Sequence, residues 1–128
     1  MIPALPLVLI VDDNDRNRKL VRDVLRAAQF RTIEAGTAAE AIARVSNHLP
    51  DVILMDLRLP DADGTDAVRI LKAEPRTAGI PIVAVTALRL DASDDWLLDA
   101  GFVGYVAKPI DTDALPDQVR QFLVIAPD

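Results

Sequence analysis

An α/β doubly wound fold around a parallel sheet is predicted by three observations. Short apolar runs alternate with longer amphipathic ones, five times along the chain. The runs LVLIV at 7–11, ILM at 53–55 and IVAV at 82–85 show no polar–apolar alternation, as expected of strands covered on both faces. No Pro/Gly/Ser-rich linker divides the 128 residues, so a single domain is expected.

Each element follows from its own residues. The first strand, 7–11, runs into Asp12-Asp13-Asn14. Leu20, Val21, Val24, Leu25 and Ala28 then share one helix face, with Arg18, Lys19, Arg22 and Arg26 away from it. Residues 31–35 form the second strand. Ala38, Ala41, Ile42 and Val45 make the next helical stripe. It opens with Thr37-Ala38-Ala39-Glu40, a capping box in which each end satisfies an orphan backbone N–H. The third strand, 52–55, ends in Asp56. Val68 and Leu71 anchor the third helix, which Pro75 stops. The fourth strand, 82–85, is followed by Thr86-Ala87. The fourth helix contains Trp96 and stops at Ala100-Gly101, where glycine suits the left-handed residue after a helix. The fifth strand, 103–107, leads into Lys108-Pro109, and Leu115, Val119, Phe122 and Leu123 mark the last helix. Pro116 costs that helix no hydrogen bond if it starts near Thr112 or Asp113.

Composition narrows the function. Twenty acidic residues against fourteen basic ones leave a net charge of -6. That balance disfavours generic nucleic-acid binding and docking on anionic membranes. With no cysteine and one histidine, disulfides, thiol nucleophiles and multi-histidine metal sites are excluded. The lack of cysteine fits a reducing, cytoplasmic setting. The longest apolar run is far short of the ~20 residues of a membrane span, and residues 1–6 have no positively charged start of a signal peptide.

In doubly wound sheets, ligands bind at the carboxyl ends of the strands. There the chain places Asp12-Asp13, Asp56, Thr86 and Lys108. Each alone is readily explained as a cap or a solvated charge; together, at separate strand ends, they converge on one pocket. Crowded carboxylates repel one another, and an all-oxygen cluster suits Mg²⁺. A carboxylate left free can attack a phosphoryl group and form an aspartyl-phosphate. Lys108 and the cation can neutralise the equatorial oxygens, while Thr86 can donate a hydrogen bond.

Four motifs carry a resemblance: VLIVDDN at 8–14, DVILMDLRLPDADG at 51–64, PIVAVTA at 81–87 and AGFVGYVAKPID at 100–111. The chain resembles the receiver domain of two-component response regulators, in the single-domain style of chemotaxis and cell-cycle receivers. The likeness runs from Leu7 to Leu123. It implies a flavodoxin-like five-stranded parallel sheet of order 2-1-3-4-5 with five helices. It implies Asp56 as phosphoacceptor, with Mg²⁺ held by Asp13 directly, by Asp12 largely through water, by Asp56, and by the backbone carbonyl of Arg58. Thr86 is then the switch hydroxyl, Lys108 the partner of the phosphoryl group, and Tyr105 the aromatic that swings inward when Thr86 moves. Lys108-Pro109 is expected to be cis, and Pro60 and Gly64 to shape the loop beside the site. The implied partners are a histidine kinase or histidine phosphotransfer protein, and a downstream protein on the face of the fourth helix, fifth strand and fifth helix. Residues 1–128 are expected to be one receiver without an output domain, a switch that catalyses only its own phosphorylation and dephosphorylation. A phosphoryl sink or shuttle, or a receiver piece of a hybrid kinase, is the alternative. Leu88, two places after Thr86, is an apolar departure on the approach of attacking water.

Three other readings are weaker. A haloacid-dehalogenase-like phosphatase wants a second Asp where Arg58 stands. An FMN carrier needs a phosphate-binding loop where Asp12-Asp13-Asn14 would repel phosphate. A degenerate receiver requires loss of acids or lysine that are present. His48 is read as a solvated residue near a helix end. Trp96 is read first as a buried or half-buried core residue, and second as an exposed partner anchor. Arg16, Arg18, Lys19, Arg22 and Arg26 on the first helix, and Asp91, Asp94, Asp95 and Asp99 on the fourth, are read as solvated faces. The basic one could also favour an acidic partner.

Overall fold

The computed structural model describes residues 5–87 and 95–124. Leu88, Asp91 and Asp94 lie outside the described residues, as do positions 1–4 and 125–128. Five strands and five helices alternate along the chain: β1 (Leu7–Val11), α1 (Asp15–Ala27), β2 (Arg31–Ala35), α2 (Ala38–His48), β3 (Val52–Asp56), α3 (Gly64–Ala73), β4 (Ile82–Thr86), α4 (Trp96–Ala100), β5 (Gly104–Ala107) and α5 (Leu115–Val124). All strand pairs are parallel and the order is β2-β1-β3-β4-β5. The doubly wound sheet expected from the apolar runs is the observed architecture.

Strand side chains alternate between faces, so each buried run feeds two cores. Leu9, Val11, Ile53, Met55, Ile82 and Ala84 pack on one side, against α2, α3 and α4. Val8, Ile10, Val52, Leu54, Val83 and Val85 pack on the other, against α1 and α5. Every residue of β3 and β4 is buried, which is why neither strand shows a polar face in the sequence. Fully burying one Leu or Ile stabilises by roughly 1.5–3 kcal/mol, so the fold rests on these two layers.

The helix ends follow the sequence with instructive differences. Thr37 Oγ1 accepts from the Glu40 N–H at 3.1 Å, as the capping box requires. The Glu40 carboxylate accepts from Gly36 rather than from Thr37, at 3.1 Å. The next two N–H groups, of Ala38 and Ala39, are taken by the Asp61 carboxylate at 2.8 and 3.1 Å. Those two bonds hold the Asp61 carboxyl below its ordinary pKa. Gly101 takes φ 111° after α4. Pro116 lies in the first turn of α5, where an N–H has no helical acceptor to lose.

Three expectations are corrected. Trp96 is 40% exposed, because α4 has only five residues and turns Leu97 to the core instead. Leu20 is 42% exposed; it lines an apolar cavity of about 390 Å³ between α1 and the chain that follows β5. The basic residues of α1 are not simply solvated. Arg18 and Arg22 both pair with Glu34 on β2, at 3.4 and 3.2 Å, and Arg26 donates to the Thr32 hydroxyl at 2.8 Å. The spacing of four residues puts these arginines on one helix face, over the edge strand. His48 is exposed at the end of α2, as expected.

Candidate functional site

The parallel order brings the carboxyl ends of β1, β3, β4 and β5 to one rim, and their terminal residues form the site. Asp12 follows β1, Asp56 and Thr86 are the last residues of β3 and β4, and Lys108 follows β5. Asp12, Asp56 and Thr86 are buried. Asp13 is exposed beside them. Carboxylate oxygens of Asp12, Asp13 and Asp56 all lie within 4.8 Å of one another.

Lys108 crosses the sheet end to reach two of these acids. Its Nζ donates to Asp56 Oδ2 at 2.9 Å and lies 3.5 Å from Asp12 Oδ2. Burial pulls its pKa down, but the hydrogen bond and charge of Asp56, with a further contribution from Asp12, outweigh this and hold it above the ordinary lysine value. The ammonium is therefore a fixed positive charge. The Lys108 N–H bonds to the Thr86 carbonyl at 2.8 Å, and the Lys108-Pro109 peptide is cis. The second Asp56 oxygen, Oδ1, accepts from the Arg58 N–H at 3.0 Å. Asp12 Oδ1 accepts from the Asn14 N–H at 2.9 Å.

A cavity of about 440 Å³ opens over this cluster, lined by Asp13, Asp56, Leu57, Arg58, Thr86, Ala87 and Lys108. Three carboxylates face one ammonium, so two negative charges are left to be balanced. Asp13 has no hydrogen-bond or ion-pair partner among the described residues. This donor set fits a divalent oxygen-seeking cation: all ligand atoms are hard oxygens, and the excess charge matches.

The loop after β3 is held tightly against the site. Gly64 donates to the Leu57 carbonyl at 2.9 Å, and Arg58 bridges to Asp63. A Cβ on Gly64 would sit 2.7 Å from the Asp56 carbonyl oxygen and 3.1 Å from the Leu57 Cα, so only glycine fits. Gly64→Ala is expected to lose about 1–3 kcal/mol, the cost of overpacking. Denaturant unfolding of the two proteins measures this; equal midpoints would contradict the close approach. Pro60 lies on this loop, outside the residues lining the cavity. Tyr105, opposite Ala84 in the sheet register, is 42% exposed and does not line the cavity either.

Two contacts here had no sequence signal. Asp61 ties the loop to α2, and Arg18 reaches the Asp12 carbonyl at 2.6 Å. The stripe of arginines at 18, 22 and 26 marks a basic helix face but does not point to that carbonyl.

Fold and site together define an α/β protein with an acidic, lysine-capped pocket at the carboxyl edge of a 2-1-3-4-5 parallel sheet. The chain belongs to the response regulator receiver domain family, whose model matches residues 8–120. It is 34% identical over 116 residues to the polar-differentiation response regulator DivK of Brucella ovis, covering 91% of this chain and 94% of that protein. Among solved structures, a putative response regulator from Chloroflexus aurantiacus J-10-fl superposes with TM-score 0.86 at 30% identity, covering 94% of this chain and 98% of the other. The receiver domain of a sensor histidine kinase from Pseudomonas aeruginosa PAO1, which has a magnesium ion coordinated in its active site cleft, gives TM-score 0.84 at 30% identity, covering 94% and 99%. The chemotaxis response regulator CheY4 of Vibrio cholerae shares the fold, with TM-score 0.87 at 24% identity over 92% and 98% of the two chains. The chain is thus a receiver of two-component signal transduction, a phosphoryl-accepting signalling module. Among the described residues, no helix is long and apolar enough to cross a membrane.

Proposed function

We propose that Asp56 is the phosphoacceptor and that a histidine kinase or histidine phosphotransfer protein is the donor. The observation that carries this reading is the geometry around Asp56: one carboxylate gripped by Lys108 at 2.9 Å, within 4.8 Å of two further acids, and opening on a cavity. An Asp56 oxygen attacks the phosphorus of a phosphohistidine; the new P–O bond forms as the P–N bond breaks, and the imidazole leaves. Lys108 stays protonated and faces the incoming negative charge. Asp12, Asp13, Asp56 and the Arg58 carbonyl are the groups that would hold Mg²⁺, which supplies the neutralisation that lets an anionic donor approach three carboxylates. Thr86, buried at the cavity wall, is placed to donate to a phosphoryl oxygen. The protein catalyses only gain and loss of its own phosphoryl group.

The output is a change of surface. Thr86 and Tyr105 lie on adjacent strands, β4 and β5. When Thr86 closes on the phosphoryl group, the exposed Tyr105 ring turns inward, and the face of α4, β5 and α5 changes its fit to a downstream protein. The phosphoryl group shifts this equilibrium only by its differential contacts. Lys108 already holds Asp56 at 2.9 Å and only exchanges one anionic acceptor for another. The differential contact is therefore the charge-assisted hydrogen bond from Thr86, worth roughly 1.5–3 kcal/mol, or about tenfold to a hundredfold in the equilibrium.

Beryllofluoride with Mg²⁺, standing in for the phosphoryl group, tests both parts. Chemical shifts of the Asp56, Thr86 and Lys108 amides should move, with a change in Tyr105 ring contacts and in Trp96 fluorescence. Binding at Asp56 with Tyr105, Thr86 and α4 unmoved would instead identify a phosphoryl sink or shuttle.

A further inference from the structure

We infer that Arg18 is a positioning residue for the acid pair, setting Mg²⁺ affinity by fixing the Asp12–Asp13 peptide. The inference rests on the reading of Asp13 as a metal ligand.

Arg18 Nη1 donates to the Asp12 carbonyl at 2.6 Å. That carbonyl belongs to the peptide joining the two acids, so its orientation sets where Asp13 stands. Asp12 is otherwise held on both sides: its N–H bonds to the Ala35 carbonyl at 3.1 Å, and its Oδ1 accepts from the Asn14 N–H at 2.9 Å. Asp13 has no hydrogen-bond or ion-pair partner of its own among the described residues, so its placement depends on the peptide before it.

The guanidinium is itself immobilised. Its Nη2 pairs with Asp15, and its Nε lies 3.4 Å from Glu34, which also pairs with Arg22. The side chain is only 19% exposed. Gly36 makes room for it, since a Cβ there would stand 3.3 Å from Nη1. A rigid fork anchored on two carboxylates and aimed at one carbonyl is a support for the group beyond that carbonyl.

The sign of the effect separates positioning from charge. Arg18 is a cation near a cation site, so removing it by electrostatics alone tightens Mg²⁺. If Arg18 positions Asp13, removal weakens Mg²⁺ instead. Arg18→Met is expected to raise the Mg²⁺ dissociation constant about tenfold by calorimetry, in the range found for supports of metal ligands. Arg18→Lys, which reaches the carbonyl but cannot fork to Glu34 and Asp15 together, should recover part of the loss. In metal-free protein, the Asp13 and Asn14 amide resonances should shift in Arg18→Met. Should that variant not fold, Gly36→Ala crowds Nη1, which would stand 3.3 Å from the added Cβ, and should weaken Mg²⁺ in the same direction by a smaller factor. Unchanged or tighter Mg²⁺ binding in these variants overturns the inference. No Mg²⁺ binding by the unaltered protein overturns the metal reading, and this inference with it.

Discussion

Asp56→Asn is expected to abolish phosphoryl gain from acetyl phosphate and Mg²⁺, leaving the mass of the protein unchanged where the unaltered chain gains one phosphoryl group. The reason is chemical rather than structural. An amide oxygen is a poor nucleophile and cannot carry the charge of the carboxylate it replaces. The side chain keeps its size, and Oδ1 can still accept from the Arg58 N–H as it does now at 3.0 Å. Loss of activity with retained folding therefore isolates the nucleophile. Asp13 is the one carboxylate of the cluster exposed to solvent, so it is the residue to watch. A phosphoryl group that persists in Asp56→Asn sinks the assignment.

The second large effect falls on Asp13. Asp13→Ala should raise the Mg²⁺ dissociation constant at least tenfold, or ~1.4 kcal/mol. It removes the exposed member of the three-acid cluster and leaves two acids that already share Lys108. The residual negative charge then falls to one, a poor match for a divalent cation. Since Asp13 has no hydrogen-bond or ion-pair partner among the described residues and is crowded by two further acids, stability without metal should be unaltered or slightly higher. Metal affinity equal to that of the unaltered protein would remove Asp13 from the ligand set.

Much of this was legible because it is local. A strand that is apolar throughout and then stops at an acid, a hydroxyl or a lysine announces its own rim residue. Asp12, Asp56, Thr86 and Lys108 were read in that way, and the sheet order brings them together. What was not legible depends on residues distant in sequence. Asp61 caps α2 from 23 positions away, a meeting no window of sequence contains. The α1 arginines looked solvated because their acceptors, Glu34 and Thr32, lie on the neighbouring edge strand. Trp96 looked like core because size and apolarity favour burial. A helix of five residues has little inward surface, and Leu97 takes it.

The brevity of α4 has a consequence for how the module spends energy on signalling. A single helical turn is below the length at which backbone hydrogen bonds repay nucleation. Its order is therefore borrowed: from the burial of Leu97 and the left-handed turn at Gly101. Leu97 is the one buried side chain of α4, so few apolar contacts oppose a local shift of this segment. A chemical event at the rim need not strain either core layer to be felt outside. Under the switch proposed above, it has only to repack the contacts of one short element.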